Sequence, residues 1–125
     1  MIERITVPAI KDWGRHNCHV VRAGQHVWVS GVVGMTSDGQ VPDDTAAQFN
    51  VAIDIVDECL KAVKAGPEHV VRVLVFMTDI TERPLINPRR IDYFGKNRPA
   101  STLVQVSALV DPRLKVEIEC QAFVP

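Results

Sequence analysis

The chain has 125 residues, 46% of them hydrophobic, and a formal net charge of −1 at pH 7, the size and make-up of one domain spanning residues 1–125. That charge, with no basic stripe, argues against nucleic acid or an anionic membrane surface as a partner. No run approaches the roughly 18 apolar residues of a membrane span, the charged start MIERITVPAIKD lacks the apolar centre of a secretory leader, and three widely spaced cysteines argue against a disulfide framework, so the chain reads as cytoplasmic.

In chain order, Met1 to Val7 alternates Ile2, Ile5 and Val7 with charged residues and reads as a short edge strand. Pro8 to Arg15 is loop. His19–Ala23 and His26–Gly31 read as a hairpin around Gly24–Gln25. Gly31 and Gly34 flank a further apolar stretch, where the backbone has room to approach a neighbour closely, and Asp38–Gly39 marks a turn. A helix is predicted from Thr45 to Ala65, with Asp44 as its N-cap and Gly66–Pro67 as its stop. Phe49, Ile53, Val56, Leu60 and Val63 form its apolar stripe, widened by Val51, Ile55 and Cys59.

His69 to Thr78 is almost continuously apolar and predicts a central strand buried on both faces. With the preceding helix it makes a β–α–β unit with a right-handed crossover. Asp79 to Pro84 reads as loop and Asn87 to Phe94 as a short helix, with Asn87 as cap, Pro88 in the first position and Gly95 as terminator. The last quarter, Asn97 to Pro125, reads as two long strands joined by a turn at Asp111–Pro112. The order is β-β-β-α-β-α-β-β, an α+β domain with two helices on one face of a mixed sheet. A domain this small buries about two-thirds of its unfolded surface, yet its elements are apolar on more than one side, which points to a homo-oligomer.

The C-terminal strand carries Glu117 and Glu119 on one face of an otherwise apolar run, so that face is wet or one carboxylate looks into a cavity. Spacing alone does not separate the two. The Pro99–Ala100 dipeptide, the valine-rich strand after it and Val116-Glu117-Ile118-Glu119 resemble the Rid family (RidA or YjgF, the reactive-intermediate imine deaminases), over nearly the whole chain. The resemblance implies a chorismate-mutase-like fold and a homotrimer with clefts between subunits. It also implies hydrolysis of small imines or enamines, releasing ammonia, without a cofactor. A glutamate in a partly apolar cleft suits the activation of water, because burial raises its pKa toward the working range.

By the same resemblance Glu119 is the water-activating group, and Ser30, Gly31 and Asn87 line the cleft. Pattern alone also allows a turn for Ser30–Gly31 and a helix cap for Asn87. Two positions depart from the family. Ser101 stands where RidA-type members carry an arginine that grips the substrate carboxylate in a two-pronged bond, and Asn17 stands where many have a tyrosine. A neutral hydroxyl does not replace a guanidinium, so the substrate is expected to differ from the usual 2-imino acid unless Arg98 or Arg113 takes over. The competing reading is a small-molecule binding or sensing trimer without turnover. His16, Cys18, His19 and His26 match no zinc spacing and predict no metal site, and Cys59 and Cys120 read as packing residues.

Overall fold

The computed structural model describes all 125 residues. It holds six strands and two helices. These are β1 (Ile2–Ile5), β2 (Val20–Ala23), β3 (His26–Val33), α1 (Thr45–Lys61), β4 (Val70–Met77), α2 (Arg83–Phe94), β5 (Ala100–Gln105) and β6 (Val116–Phe123), with 3-10 turns at Pro67–His69 and Ile80–Glu82. The strands form one mixed sheet in the order β1-β2-β3-β6-β4-β5. All its pairings are antiparallel except β4 with β5, which is parallel. The predicted order and α+β architecture are those of the structure, and no helix is long and apolar enough to cross a membrane.

The pairing corrects the expected C-terminal hairpin. β6 does not pair with β5; it inserts between β3 and β4, so β3–α1–β4 is a split unit with β6 in its gap. The burial patterns explain why. Val116, Ile118, Cys120 and Ala122 are all buried, which suits a strand hydrogen-bonded on both sides. In β5 only Leu103 is partly covered, and Ser101, Thr102 and Gln105 tolerate an edge.

One core lies between the helices and the sheet: Phe49, Ile53, Val56 and Leu60 from α1 meet Val73, Val75 and Met77 from β4 and Ile118 from β6. β4 is therefore buried on one face only. Arg72, Leu74 and Phe76, on its other face, are half-buried, and Val71, at a register shift, is exposed. Continuous apolar sequence predicted two covered faces, but a single chain supplies one helical layer.

α1 begins as predicted, with the Asp44 carboxylate accepting from Ala47 N at 2.7 Å. It ends at Lys61 rather than Ala65. Lys64 adopts φ 57°, and Leu60 O accepts from Ala65 N at 2.9 Å, so the chain reverses before Gly66–Pro67. α2 starts at Arg83, four residues earlier than expected, and absorbs Pro88 in its second turn. Asn87 is thus not a cap.

The approach predicted at Gly34 is present. A side chain there would stand 2.4 Å from Gln48 O. Gln48 itself is fully buried and fully paired: Nε2 donates to Pro42 O and Arg113 O, each at 2.9 Å, and Oε1 accepts from Lys115 N at 2.8 Å. It pins α1 to the segment that leads into β6. Cys59 and Cys120 are unpaired and buried in the core, and burial pushes both thiols up to about 12, so they stay protonated packing residues.

Candidate active site

A register shift between Val29 and Val32 interrupts the β3–β6 ladder, and Ser30–Gly31 occupy it. Ser30 is tied down twice: its N–H donates to His19 O at 3.0 Å and its Oγ donates to Cys18 O at 2.6 Å. His19 holds the adjoining loop. Its Nδ1 accepts from Val7 N at 2.8 Å, which leaves Nε2 to donate to Lys11 O at 2.9 Å. These bonds fix the wall of a pocket lined by Trp13, Asn17, Ser30, Gly31 and Met35, among others.

Gly31 is where β3 meets a carboxylate. A Cβ on this residue would lie 3.0 Å from Glu117 Cδ and 3.2 and 3.3 Å from its two oxygens. The absent side chain is what lets that carboxylate lie against the β3 backbone. Glu117 is half-buried and lines a cleft with Trp13, His16, Asn17, Gly31, Val33 and Val110. Burial, and then the nearby Glu119, hold its carboxyl above the usual glutamate range. Glu119 sits one pleat further along the same face, across from Leu74, and is not among the residues lining that cleft.

Asn87 and Ser101 lie elsewhere. Ser101 is level with Val73 in the β4–β5 ladder, on the helix side of the sheet. With Asn87, Arg90, Phe94 and Arg98 it lines a second cleft. Arg90 Nη2 donates to Ser101 Oγ at 2.6 Å. Arg90 is half-buried, and burial draws its pKa down from the usual arginine value. It remains a cation. Of the two arginines proposed to replace the missing one, Arg113 donates to Asp111 from Nε at 3.1 Å and Nη2 at 3.0 Å, whereas Arg98 lines this cleft.

The predicted residues therefore fall into two groups. Asn17, Ser30 and Gly31 gather with Glu117; Asn87 and Ser101 gather with Arg90. The groups do not meet within one chain, because Glu117 faces away from the helices and Ser101 faces toward them. Arg90 lies inside the predicted helix, but nothing local in the sequence places it against Ser101 of β5. On α2, Asn87, Arg90, Ile91 and Phe94 share one helical face.

A split β–α–β sheet carrying two helices on one face, with a carboxylate laid on a glycine at a bulge, defines a class before any name does. The family model described as endoribonuclease L-PSP matches residues 7–124, and the chain belongs to this family, which includes the YjgF, UK114 and Rid proteins. It is 34% identical over 120 residues to the RutC family protein UK114 of Drosophila melanogaster, covering 94% of this chain and 86% of that one. It is 36% identical over 98 residues to the 2-iminobutanoate/2-iminopropanoate deaminase of Rattus norvegicus, covering 77% of this chain and 71% of the relative. Among solved structures it is similar to the YjgF gene product of E. coli, with a TM-score of 0.88 at 25% identity over 97% of this chain and 98% of that one.

Proposed function

We propose that the protein is a hydrolytic deaminase that converts a small imine or enamine to the carbonyl compound and ammonia, with Glu117 activating the water. The observation that carries this reading is the half-buried Glu117 carboxylate laid against Gly31 in an open cleft. The relative named as a 2-iminobutanoate/2-iminopropanoate deaminase supports the reaction class. Between the two glutamates, cleft position favours Glu117 over the expected Glu119.

In the proposed reaction the Glu117 carboxylate takes a proton from water as its oxygen bonds to the imine carbon. The acid then returns that proton to nitrogen. The resulting tetrahedral amino alcohol collapses: its C–N bond breaks, ammonia leaves with the hydroxyl proton, and a carbonyl forms. The sum is imine plus water giving carbonyl plus ammonia. A carboxylate whose pKa is raised toward neutrality is a stronger base and a usable acid in both steps.

The two clefts on opposite sides of the sheet are complementary halves, and a homotrimer that sets the Glu117 cleft of one subunit beside the Asn87–Ser101 cleft of the next completes the site. The test is ammonia release from a panel of imines generated in situ. Glu117→Gln is expected to lower turnover by about a hundredfold or more, the usual contribution of a general base, and Glu119→Gln by no more than about threefold. Equal rates for wild type and Glu117→Gln would remove Glu117 from the chemistry. Ligand-dependent melting without turnover in the wild type would return the binding-protein reading.

A further inference from the structure

We infer that His16 is a second catalytic residue in the Glu117 cleft: its imidazolium gives a proton to the leaving nitrogen and takes one from the hydroxyl as the carbon–nitrogen bond breaks. The assignment rests on the deaminase reading and supplies a part that Glu117 alone does not.

The need for it lies in the second half of the reaction. Once Glu117 has returned its proton to nitrogen it is a carboxylate, a base with no proton to give. The amino alcohol must lose ammonia rather than the strongly basic amide anion, so its nitrogen is protonated as the C–N bond breaks. The hydroxyl holds a suitable proton, but passing it directly to a nitrogen on the same carbon closes a small, strained ring. A carrier that touches both atoms avoids that ring. Imidazole exchanges protons near neutral pH and has a nitrogen for each direction. The imidazolium gives its proton to nitrogen, the C–N electron pair leaves with ammonia, an oxygen lone pair forms the carbonyl, and the ring takes the hydroxyl proton. The carrier ends as it began, and the sum is still imine plus water giving carbonyl plus ammonia.

Among the residues that line the cleft, only Glu117 and His16 have titratable side chains, and each is seated on a glycine. Gly31 takes Glu117, while a Cβ at Gly14 would stand 3.1 Å from His16 Nδ1 and 3.2 Å from its Cε1. Gly14 has φ 123°, a conformation that side chains disfavour. The loop beneath the ring is tied down: Gly14 N donates to Asp12 Oδ1 at 2.9 Å, Asn17 N donates to Gly14 O at 3.5 Å, and the buried His19 donates from Nε2 to Lys11 O. The other histidines are engaged. His19 and His69 each accept a backbone N–H at Nδ1, and His26 stacks on Trp28 and meets the Phe123 ring. His16 is exposed and has no ring partner, no side-chain hydrogen bond and no carboxylate within 4.0 Å, so both ring nitrogens are open to a ligand. The charged groups around it are Glu117 on β6 and, on its own loop, Lys11, with Nζ over the Trp13 ring at 5.2 Å, Asp12 and Arg15. Asp111, next to Val110 on the remaining wall, is paired with Arg113.

The experiment follows steady-state ammonia release across pH for the wild type, His16→Gln, His16→Ala and Glu117→Gln, each checked for an unchanged melting temperature. His16→Gln is expected to lower kcat by about a hundredfold, the usual contribution of a general acid, and to leave KM within about threefold. Its pH profile keeps the acid limb that Glu117 sets and loses the alkaline limb along which the imidazolium gives up its proton. Added imidazole is expected to raise the rate of His16→Ala by at least about fivefold and not to restore Glu117→Gln, a pattern that a purely structural role of the ring does not produce. His16→Gln within about threefold of the wild-type rate, an alkaline limb that survives in it, or no effect of imidazole on His16→Ala each overturns the assignment, and the deaminase reading then stands on the loss seen in Glu117→Gln. Glu117→Gln at the wild-type rate, or a wild type that releases no ammonia, overturns the deaminase reading and the assignment with it.

Discussion

Glu117 and Glu119 are two residues apart on one face and chemically identical, yet the fold gives them different surroundings. Only Glu117 lies on a glycine, and its carboxyl is pushed above the ordinary glutamate value of 4.5, first by burial and then by Glu119. This sets the sign of a stability effect. Between 4.5 and the raised native value, the folded chain holds more of this proton than the unfolded chain. Stability contributed by this group is then present at low pH and lost as pH rises through that window. Glu117→Gln removes the dependence. Urea unfolding from about pH 4 to about pH 7 should show the variant gaining on the wild type as pH rises. A difference that does not change with pH, or a variant that loses ground to the wild type as pH rises, would mean that the fold does not raise the pKa of this carboxyl. The same shift places the acid limb of the deamination pH profile above the ordinary glutamate range.

At the scale of the element, local signals were legible and long-range partners were not. The Asp44 cap, the α1 stripe and the β2–β3 hairpin around Gly24 all follow from residues near one another in sequence. The neighbours of β6 do not, because alternation identifies a strand and its buried face but not which strand lies beside it. The site divides the same way. Ser30–Gly31 is readable from a glycine in a strand, whereas the meeting of Arg90 with Ser101 joins α2 to β5 and leaves no local mark in the sequence. The end of α1 teaches a related lesson. Gly66–Pro67 is a strong stop signal, but the chain reverses at Lys64, in a left-handed conformation that favours glycine. Lys64→Gly is expected to raise stability by up to about 1 kcal/mol by removing that strain, read as a higher urea midpoint with an unchanged slope. A lower midpoint would show that the lysine side chain contributes more there than the strain costs.

For the molecule as a whole, the sheet face turned from the helices decides the argument. One chain leaves Leu74 and Phe76 half-covered and exposes Trp28, Val71, Val104 and Phe123 on or beside it, at 41%, 52%, 38% and 38%. At about 25 cal/mol per Å² of apolar surface removed from water, covering such a face with other subunits is a substantial gain, and the proposed trimer sets a Glu117 cleft beside a neighbour's Arg90 cleft. Leu74→Asp tests both consequences. Leu74 points away from the α1–α2 core, so the monomer is expected to fold with its far-ultraviolet spectrum unchanged. An unpaired carboxylate in an apolar contact costs several kcal/mol, so sedimentation should find a trimer in the wild type and a monomer in the variant at the same concentration. If the site is shared, the monomer should lose ammonia release by at least about a hundredfold, since a general base without its positioned substrate keeps little of its effect, and Glu117, still present, should not rescue it. A monomer that deaminates at the wild-type rate would show that one chain holds the whole site, and the division of its residues between two faces of the sheet would need another explanation.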